Sequence, residues 1–270
     1  KQFGSYYQVQ TAGVVNSTLT VKSLTLTADS LVDDSTVNAA SVTVGRDAAL
    51  TDSIINAGTS FNVTGGNAAR ISVVDTSGNL IVNVSQSSAD TNGAVASGVI
   101  ADSYIKAKDL NVGENIVFAN NNVKTTGNMT VGKNAVINGG ELSIGGLLSL
   151  GENSAVTVTN TVSISAGSMY IGNGVSFAGT AVLIAGNLTL DDAADITGSF
   201  TVGGDTKFNS SDDYSNMTLD TGRVIVADNA EVGLKDVLAD QFVIGKNAMI
   251  ASDTQKAVWL GTVTKALTIT

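Results

Sequence analysis

A short hydrophobic phrase returns along most of the chain at nearly constant spacing. Two apolar residues flank a polar one, as in Leu24–Leu26, and a glycine, a polar pair and an alanine often follow, as in Gly132–Ala135. Alternation with a period of two predicts a short, half-buried β-strand. The last apolar residue of each phrase marks its position: Leu26, Val44, Val63, Val112, Val131, Leu150, Ile171, Leu190, Val226 and Ile244.

Most of these positions are 18 to 21 residues apart, and two intervals are longer, at 36 and 49 residues. The interval of 36 divides into two equal steps if Phe208 fills a degenerate position, and the interval of 49 holds two or three coils with an irregular insertion. A repeat of this length is typical of solenoids, in which stacked coils bury faces that one coil cannot bury alone.

Each period contains further apolar segments, as in Leu142–Ile144 and Ala135–Ile137. We therefore predict an all-β, single-stranded parallel β-helix (β-solenoid) with about 13 coils of 18 to 21 residues, and we expect it to be right-handed. Glycines end successive periods, at corners where we expect positive φ angles: Gly127, Gly146, Gly167, Gly186, Gly204 and Gly222.

The composition agrees with this fold and excludes several kinds of cross-link, metal site and catalytic site. The 270 residues include no proline, cysteine or histidine. Stacked strands use nearly every backbone N–H group, and proline has none to donate. Without cysteine and histidine the chain lacks disulfides, Cys or His zinc sites and Ser-His-Asp or Cys-His nucleophiles. Calcium is the one cofactor that the sequence leaves open.

The balance of charged residues limits the kinds of partner that we expect the protein to bind. There are 14 basic and 24 acidic residues, for a net charge of −10. Contacts to phosphate groups need clustered lysine and arginine, so a nucleic-acid partner is not expected. No apolar run is long enough to cross a bilayer, so no transmembrane segment is predicted.

Acidic residues in turns are the remaining chemical candidates. Neighbouring residues in a strand point to opposite faces, so adjacent acids are interpreted as turn residues and no catalytic residue is predicted. Calcium needs about six to eight oxygen ligands. The weak calcium candidates, with ordinary Asx-turns as the alternative, are Asp205, Asp212, Asp213 and Asp228.

One stretch connects the repeat to known proteins. SLTLTADSLVDDSTVNAASVTVGRDAAL, from Ser23 to Leu50, resembles the repeats in the stalks of filamentous-haemagglutinin-like adhesins. The phrases GKNAVI and GNLTL are similar to coils of bactofilins and autotransporters. The resemblance covers the chain from about Leu19 to Ile250 and implies a bacterial extracellular or cell-surface rod that serves as a spacer, adhesin or fibre subunit. It assigns no functional residue.

The predicted organisation has three parts. Residues 1–16 form an N-terminal segment, either a cap or an intersubunit strand; residues 17–256 form the solenoid, with an irregular insertion near 86–103; and residues 257–270 form a C-terminal strand segment. The open ends of a solenoid invite another chain to add on. Apolar and aromatic residues in the two terminal segments are the predicted intersubunit contacts: Phe3, Tyr6, Tyr7, Val258, Trp259, Leu267 and Ile269.

These features favour a non-enzymatic subunit of an extracellular filament, sheath or surface layer, whose main partner is a second copy of itself. The alternative is a stalk or passenger region of an adhesin that binds cell-surface or matrix ligands. Both interpretations place the protein outside the cell or on its surface.

Overall fold

The structure is a computed structural model that describes residues 6–9, 13–27, 30–45, 48–51, 53–63, 73–76, 79–82, 99–101, 104–158, 164–192, 195–234, 236–251, 259–260 and 268–269. Every regular element in these ranges is a strand, and the recorded strand pairings are parallel. The predicted all-β parallel solenoid is therefore confirmed. Within the same ranges there is no helix with the length and apolar character of a membrane span.

Most strands have three or four residues, and the longer ones continue through a corner of the coil. The first fifteen are β1 Tyr6–Val9, β2 Gly13–Val15, β3 Thr18–Leu26, β4 Leu31–Asp33, β5 Thr36–Val44, β6 Ala49–Thr51, β7 Ile54–Val63, β8 Val73–Thr76, β9 Asn79–Val82, β10 Val99–Ala101, β11 Tyr104–Ala107, β12 Leu110–Val112, β13 Val117–Ala119, β14 Asn122–Thr125 and β15 Met129–Val131. The others are β16 Val136–Asn138, β17 Glu141–Leu150, β18 Ala155–Val158, β19 Ile164–Ile171, β20 Ser176–Ile184, β21 Leu188–Leu190, β22 Asp195–Phe208, β23 Asp212–Asp213, β24 Met217–Val226, β25 Glu231–Gly233, β26 Asp236–Ile244, β27 Met249–Ala251, β28 Trp259–Leu260 and β29 Thr268–Ile269.

One regular coil has three sides. In the coil from Leu110 to Asn128, β12 lies on face A, β13 on face B and β14 on face C. Each strand pairs with its counterpart one coil later, so β12 pairs with β15 and β13 with β16. Long strands such as β17 and β22 pass from face C to face A through a corner, and β-bulges shift their register there.

Face A contains the predicted repeat in a single ladder. The last position of each phrase is joined in register at fourteen levels. Ten of the steps have 18 to 21 residues, which corresponds to about ten regular turns, and the other three have 17, 30 and 25. The ladder runs through Val9, Leu26, Val44, Val63, Val82, Val112, Val131, Leu150, Ile171, Leu190, Phe208, Val226, Ile244 and Ile269.

This ladder resolves both long intervals. Phe208 pairs with Leu190 on one side and Val226 on the other, as the divided interval of 36 predicted. The interval of 49 contains one additional level at Val82, followed by a coil of 30 residues. Within the predicted insertion at 86–103, Val99–Ala101 is already a face B strand paired with β13, and residues 86–98 lie outside the described residues.

The core is the space enclosed by the three faces. In the coil at Leu110 the side chains of Leu110, Val112, Phe118 and Val123 are all at most 2% exposed. The same positions in later coils hold valine, isoleucine, leucine, methionine or phenylalanine, apart from the buried Thr206. Stacked apolar columns of this kind contribute most of the stability of the rod, because each coil completes the burial of its neighbours.

The corner between faces C and A in the central coils is lined by glycines, which we call the glycine corner. Its members are Gly127, Gly146, Gly167, Gly186, Gly204 and Gly222. The Gly146 N–H donates to the Gly127 carbonyl oxygen with an N···O distance of 2.8 Å, and Gly204 donates to Gly186 at 2.9 Å. None of these glycines has a positive φ angle. The expectation of positive φ here was wrong: close approach of successive backbones, which leaves no room for a Cβ atom, explains the glycines.

Positive φ angles occur instead at the turn between faces A and B. Asn115, Asn134 and Asn153 have φ angles of 57°, 55° and 55° there. Asparagine tolerates the left-handed region better than most residues, because its short side chain can form local hydrogen bonds. The Gly-x-Asn phrase that follows several face A strands, as in Gly113–Asn115 and Gly132–Asn134, therefore encodes this turn.

The corner between faces B and C in the first coils is built from serines, which we call the serine corner. The Ser17 N–H donates to Ser35 Oγ with an N···O distance of 3.1 Å, and the Ser35 N–H donates to Ser53 Oγ at 3.2 Å. The Ser35 hydroxyl in turn donates to the Asp33 carbonyl oxygen at 2.7 Å. Side-chain oxygens thus connect successive coils at this corner alongside backbone hydrogen bonds, such as the one from the Thr36 N–H to the Ser17 carbonyl oxygen at 2.9 Å.

Candidate functional site

The two ends of the solenoid contain the predicted intersubunit residues. β1, with Tyr6 and Tyr7, pairs with the face A part of β3. At the other end β28, with Trp259, and β29, with Ile269, both pair with β26. In the ranges that the structure describes, each of these end strands has one partner strand. Phe3, Val258 and Leu267 lie outside the described residues.

The ladder therefore extends into both terminal segments, and the role of these segments as cap or joint stays a prediction. Gln8 is in register with Thr25 at one end, and Thr268 is in register with Val243 at the other. A parallel strand with an unpaired edge can accept another strand in the same direction.

Two of the acidic candidates already have partners in neighbouring coils. Arg223 binds Asp205 with both Nε and Nη2, at 3.1 Å from Oδ1 and 2.5 Å from Oδ2. The carboxylate raises the pKa of the Arg223 guanidinium. Asp228 Oδ1 accepts a hydrogen bond from the Lys246 N–H at 2.8 Å. Both carboxylates therefore link successive coils.

Asp212 and Asp213 form hydrogen bonds within their own turn. Asp212 Oδ1 accepts from the Asp213 N–H at 2.8 Å, and Asp213 Oδ1 accepts from the Ser215 N–H at 2.9 Å. Asp212 is in register with the buried Val232, and burial raises the pKa of its carboxyl group. The nearby carboxylates of Asp192, Asp213 and Asp195 raise that pKa further, while the hydrogen bond from Asp213 lowers it.

The structure does not bring the four candidates together as one metal site. Asp205 lies on face A, Asp228 in the turn after face A, and Asp212 and Asp213 on face B. Across the described ranges, no group of three or more acidic side chains is arranged to hold a metal ion. The contacts observed at these aspartates are those of the Asx-turn alternative and of cross-coil ion pairing.

A groove follows the corner between faces B and C in the central coils. Its floor contains Val158, Gly179 and Gly198, which are stacked in register at successive levels. Its volume is about 480 Å³, and it is open to solvent along one side. Five polar side chains form its walls: Thr180, Thr197, Ser199, Asn216 and Thr218.

The sequence pattern did not predict this groove. The one signal nearby is the longest regular step of face A, the 21 residues between Leu150 and Ile171, which lengthens the coil beside the groove. The hydrogen bond from the Gly198 N–H to the Asn216 carbonyl oxygen, at 3.4 Å, then joins two levels of the groove itself. Packing between non-adjacent segments sets this shape, so a local pattern of residues could not indicate it.

Comparisons with protein-family models, with curated proteins and with solved structures found no match. The structure supports the architecture, a parallel β-solenoid, but no family or relative supports the resemblance to adhesin and autotransporter repeats or a bacterial origin.

Proposed function

We propose that this protein is a non-enzymatic structural subunit of an extracellular bacterial filament, sheath or surface layer, assembled by end-to-end stacking of coils or by strand addition. The single observation that carries the proposal is the face A ladder. It continues from β1 to β29, so that both end strands belong to one parallel ladder. The next coil of another subunit would extend the same hydrogen bonds and the same apolar column.

The packing of the rod supports a mechanical role. Many of the side chains that repeat from coil to coil fill the core or join neighbouring coils, as Phe118 and Ser35 do. A head-to-tail contact between two different ends does not close on itself, so it builds an open fibre. The residues proposed to lie at this joint are Tyr6, Tyr7, Trp259 and Ile269, together with Phe3, Val258 and Leu267 from the sequence.

A second candidate is the stalk or passenger region of an adhesin that binds a cell-surface or matrix ligand. The groove along the corner between faces B and C favours it, because open concave surfaces on rigid scaffolds are common ligand sites. The two proposals are compatible, since a fibre subunit can also carry a binding groove.

The filament proposal is tested by light scattering and negative-stain microscopy of the full chain at increasing concentration, with and without calcium. We expect unbranched fibres whose length increases with concentration. A variant lacking residues 1–15 removes β1 and is expected to shift the protein to monomers. Circular dichroism of that variant provides the control, because its strand signal must be retained.

An intact protein that stays monomeric at the highest attainable concentration, in both calcium conditions, would contradict self-assembly. Fibres that persist unchanged after removal of residues 1–15 would instead exclude the N-terminal strand from the joint. Dependence of the fibres on calcium would place the ion at the contact between subunits.

A further inference from the structure

The groove between faces B and C exposes polar side chains that do not join neighbouring coils. Thr180, Thr197, Ser199, Asn216 and Thr218 are all exposed. Within the described part of the chain, none of these side chains takes part in a hydrogen bond. Polar side chains at other corners are committed to coil stacking. Asn187 Oδ1, for example, accepts from the Asp205 N–H at 2.9 Å.

The groove is also uncharged. The nine described residues that line it include no acidic and no basic side chain, although the chain as a whole has a net charge of −10. A cation would find no carboxylate ligand there, and a phosphate, sulfate or carboxylate would find no lysine or arginine. The negative charge of the whole chain also repels anions at long range. The lining therefore suits a neutral ligand that offers hydroxyl groups.

The groove has the shape for a linear ligand. It crosses four coil levels in the order Val158, Gly179, Gly198 and Met217, each in register with the next. At the spacing of paired strands, three steps correspond to about 14 Å along the rod axis. Hydroxyl and amide groups therefore recur at the coil spacing along both walls, above a floor of glycine, valine and alanine.

We propose that this groove binds a neutral oligosaccharide chain lying parallel to the rod axis. The sugar hydroxyls exchange hydrogen bonds with the threonine, serine and asparagine side chains, and the less polar ring faces contact the partly exposed Ala178. A volume of about 480 Å³ lies in the range of small-molecule sites, and a few polar groups on a mostly apolar surface fix the orientation of a ligand. This inference does not depend on self-assembly.

The test uses the full chain and a triple variant, Thr180→Val, Thr197→Val and Thr218→Val. Valine has nearly the shape of threonine and a high strand propensity, so the variant removes hydroxyl groups without removing volume. The matched control is Thr20→Val, Thr25→Val and Thr130→Val, at three exposed strand positions away from the groove. Isothermal titration calorimetry measures binding of neutral gluco-, manno- and xylo-hexasaccharides and of an anionic galacturonic acid hexasaccharide.

We expect at least one neutral hexasaccharide to bind, the triple variant to bind it about tenfold more weakly or worse, and the control to bind as the unmodified chain does. The proposal is overturned if no neutral hexasaccharide binds or if the anionic one binds more tightly. It is also overturned if the groove variant and the control bind equally well. Circular dichroism of both variants separates lost binding from lost folding.

Discussion

The glycine corner and the serine corner provide backbone N–H groups with different hydrogen-bond acceptors. At the glycine corner, backbone N–H and carbonyl groups of successive coils meet directly, as Gly146 and Gly127 do at 2.8 Å. At the serine corner the N–H of one coil meets the hydroxyl of the next, as Ser17 and Ser35 do at 3.1 Å. A buried N–H without a partner is costly, so each corner needs one of these solutions.

The difference shows what each corner demands of the sequence. Direct backbone contact excludes any side chain, so it selects glycine for lack of space. Contact through a side chain requires a hydroxyl at one position, so it selects serine for its oxygen. The two corners should therefore fail in different ways when their residues become alanine, and those failures are measurable.

The largest effect is expected for Gly146→Ala. A Cβ atom there would lie 2.9 Å from both the carbonyl carbon and the carbonyl oxygen of Gly127, so the two coils must separate. We expect the free energy of unfolding to fall by about 1–3 kcal/mol, measured by chemical denaturation. The control is Gly58→Ala at the corresponding corner of an early coil, where the nearest atoms lie 3.7 Å away and stability should change little. Equal losses in both variants would refute the steric explanation.

A smaller loss is expected for Ser35→Ala. This variant removes the acceptor of the Ser17 N–H and the hydroxyl that donates to Asp33, at a cost of about 1 kcal/mol. The matched variant is Ser154→Ala, because the Ser154 hydroxyl is buried and has no hydrogen-bond partner in the described structure. Its removal should leave the free energy of unfolding unchanged or raise it. If denaturation shows the reverse order, the serine ladder does not stabilise the corner.

Asp212 belongs to neither corner. This acidic residue is in register with the buried Val232. Its pKa is raised above the ordinary value of 3.8, so the folded state binds this proton more tightly than the unfolded state does. Stability therefore decreases as pH rises from 3.8 through the raised pKa. We expect Asp212→Asn to have a higher melting temperature than the unmodified protein at pH 7, by calorimetry.

The advantage of Asp212→Asn should disappear in acid, where the aspartate is protonated. Asp220→Asn, at an exposed position of face C, removes the same charge away from the acidic cluster and serves as the control. An equal gain in both variants would assign the effect to net charge alone.

The smallest effect at neutral pH is expected for Tyr170→Phe, which removes a side-chain contact between coils. The Tyr170 hydroxyl donates to the Asp191 carboxylate, and this hydrogen bond, with burial and the carboxylate charge, raises the pKa of Tyr170 to about 12. Its stabilisation is complete below pH 10 and is lost as pH rises toward 12. Ultraviolet titration should show a late ionisation step, and the amplitude of that step should fall by one tyrosine in the variant. A late step of unchanged amplitude would show that Tyr170 does not contribute to it.

Short-range alternation was enough to predict the face A positions, and the exceptions have local causes. Val82 was missed because Leu80–Val82 is apolar throughout and shows no alternation. Phe208 was hard to recognise because the first position of its phrase is the polar residue Thr206. Thr206 is buried, and its hydroxyl donates to Thr221 Oγ1 at 3.0 Å. At both positions the strand ladder continues although the sequence lacks the apolar–polar–apolar pattern.

The sites depend on contacts between coils, which one repeat cannot reveal. The glycines were predicted to mark corners, but the reason for them, backbone contact with the coil before, requires the stacked structure. The same holds for Asp205, whose partner Arg223 is 18 positions away in sequence. The groove at Gly179 and Gly198 needs four coils to exist, so no local pattern indicates it.

The central claim, that coils stack from one subunit onto the next, is tested most directly by disulfide cross-linking, because the natural chain has no cysteine. Gln8→Cys and Thr268→Cys are introduced together, at the two ends of one register column of face A. Stacked ends bring these residues to about 5 Å between Cα atoms, within disulfide range. The control pairs Gln8→Cys with Thr130→Cys in the middle of the rod.

On oxidation we predict a series of covalent multimers from the end-to-end pair and monomers from the control pair, on a non-reducing gel. Monomers from both pairs, or equal multimers from both, would contradict end-to-end stacking.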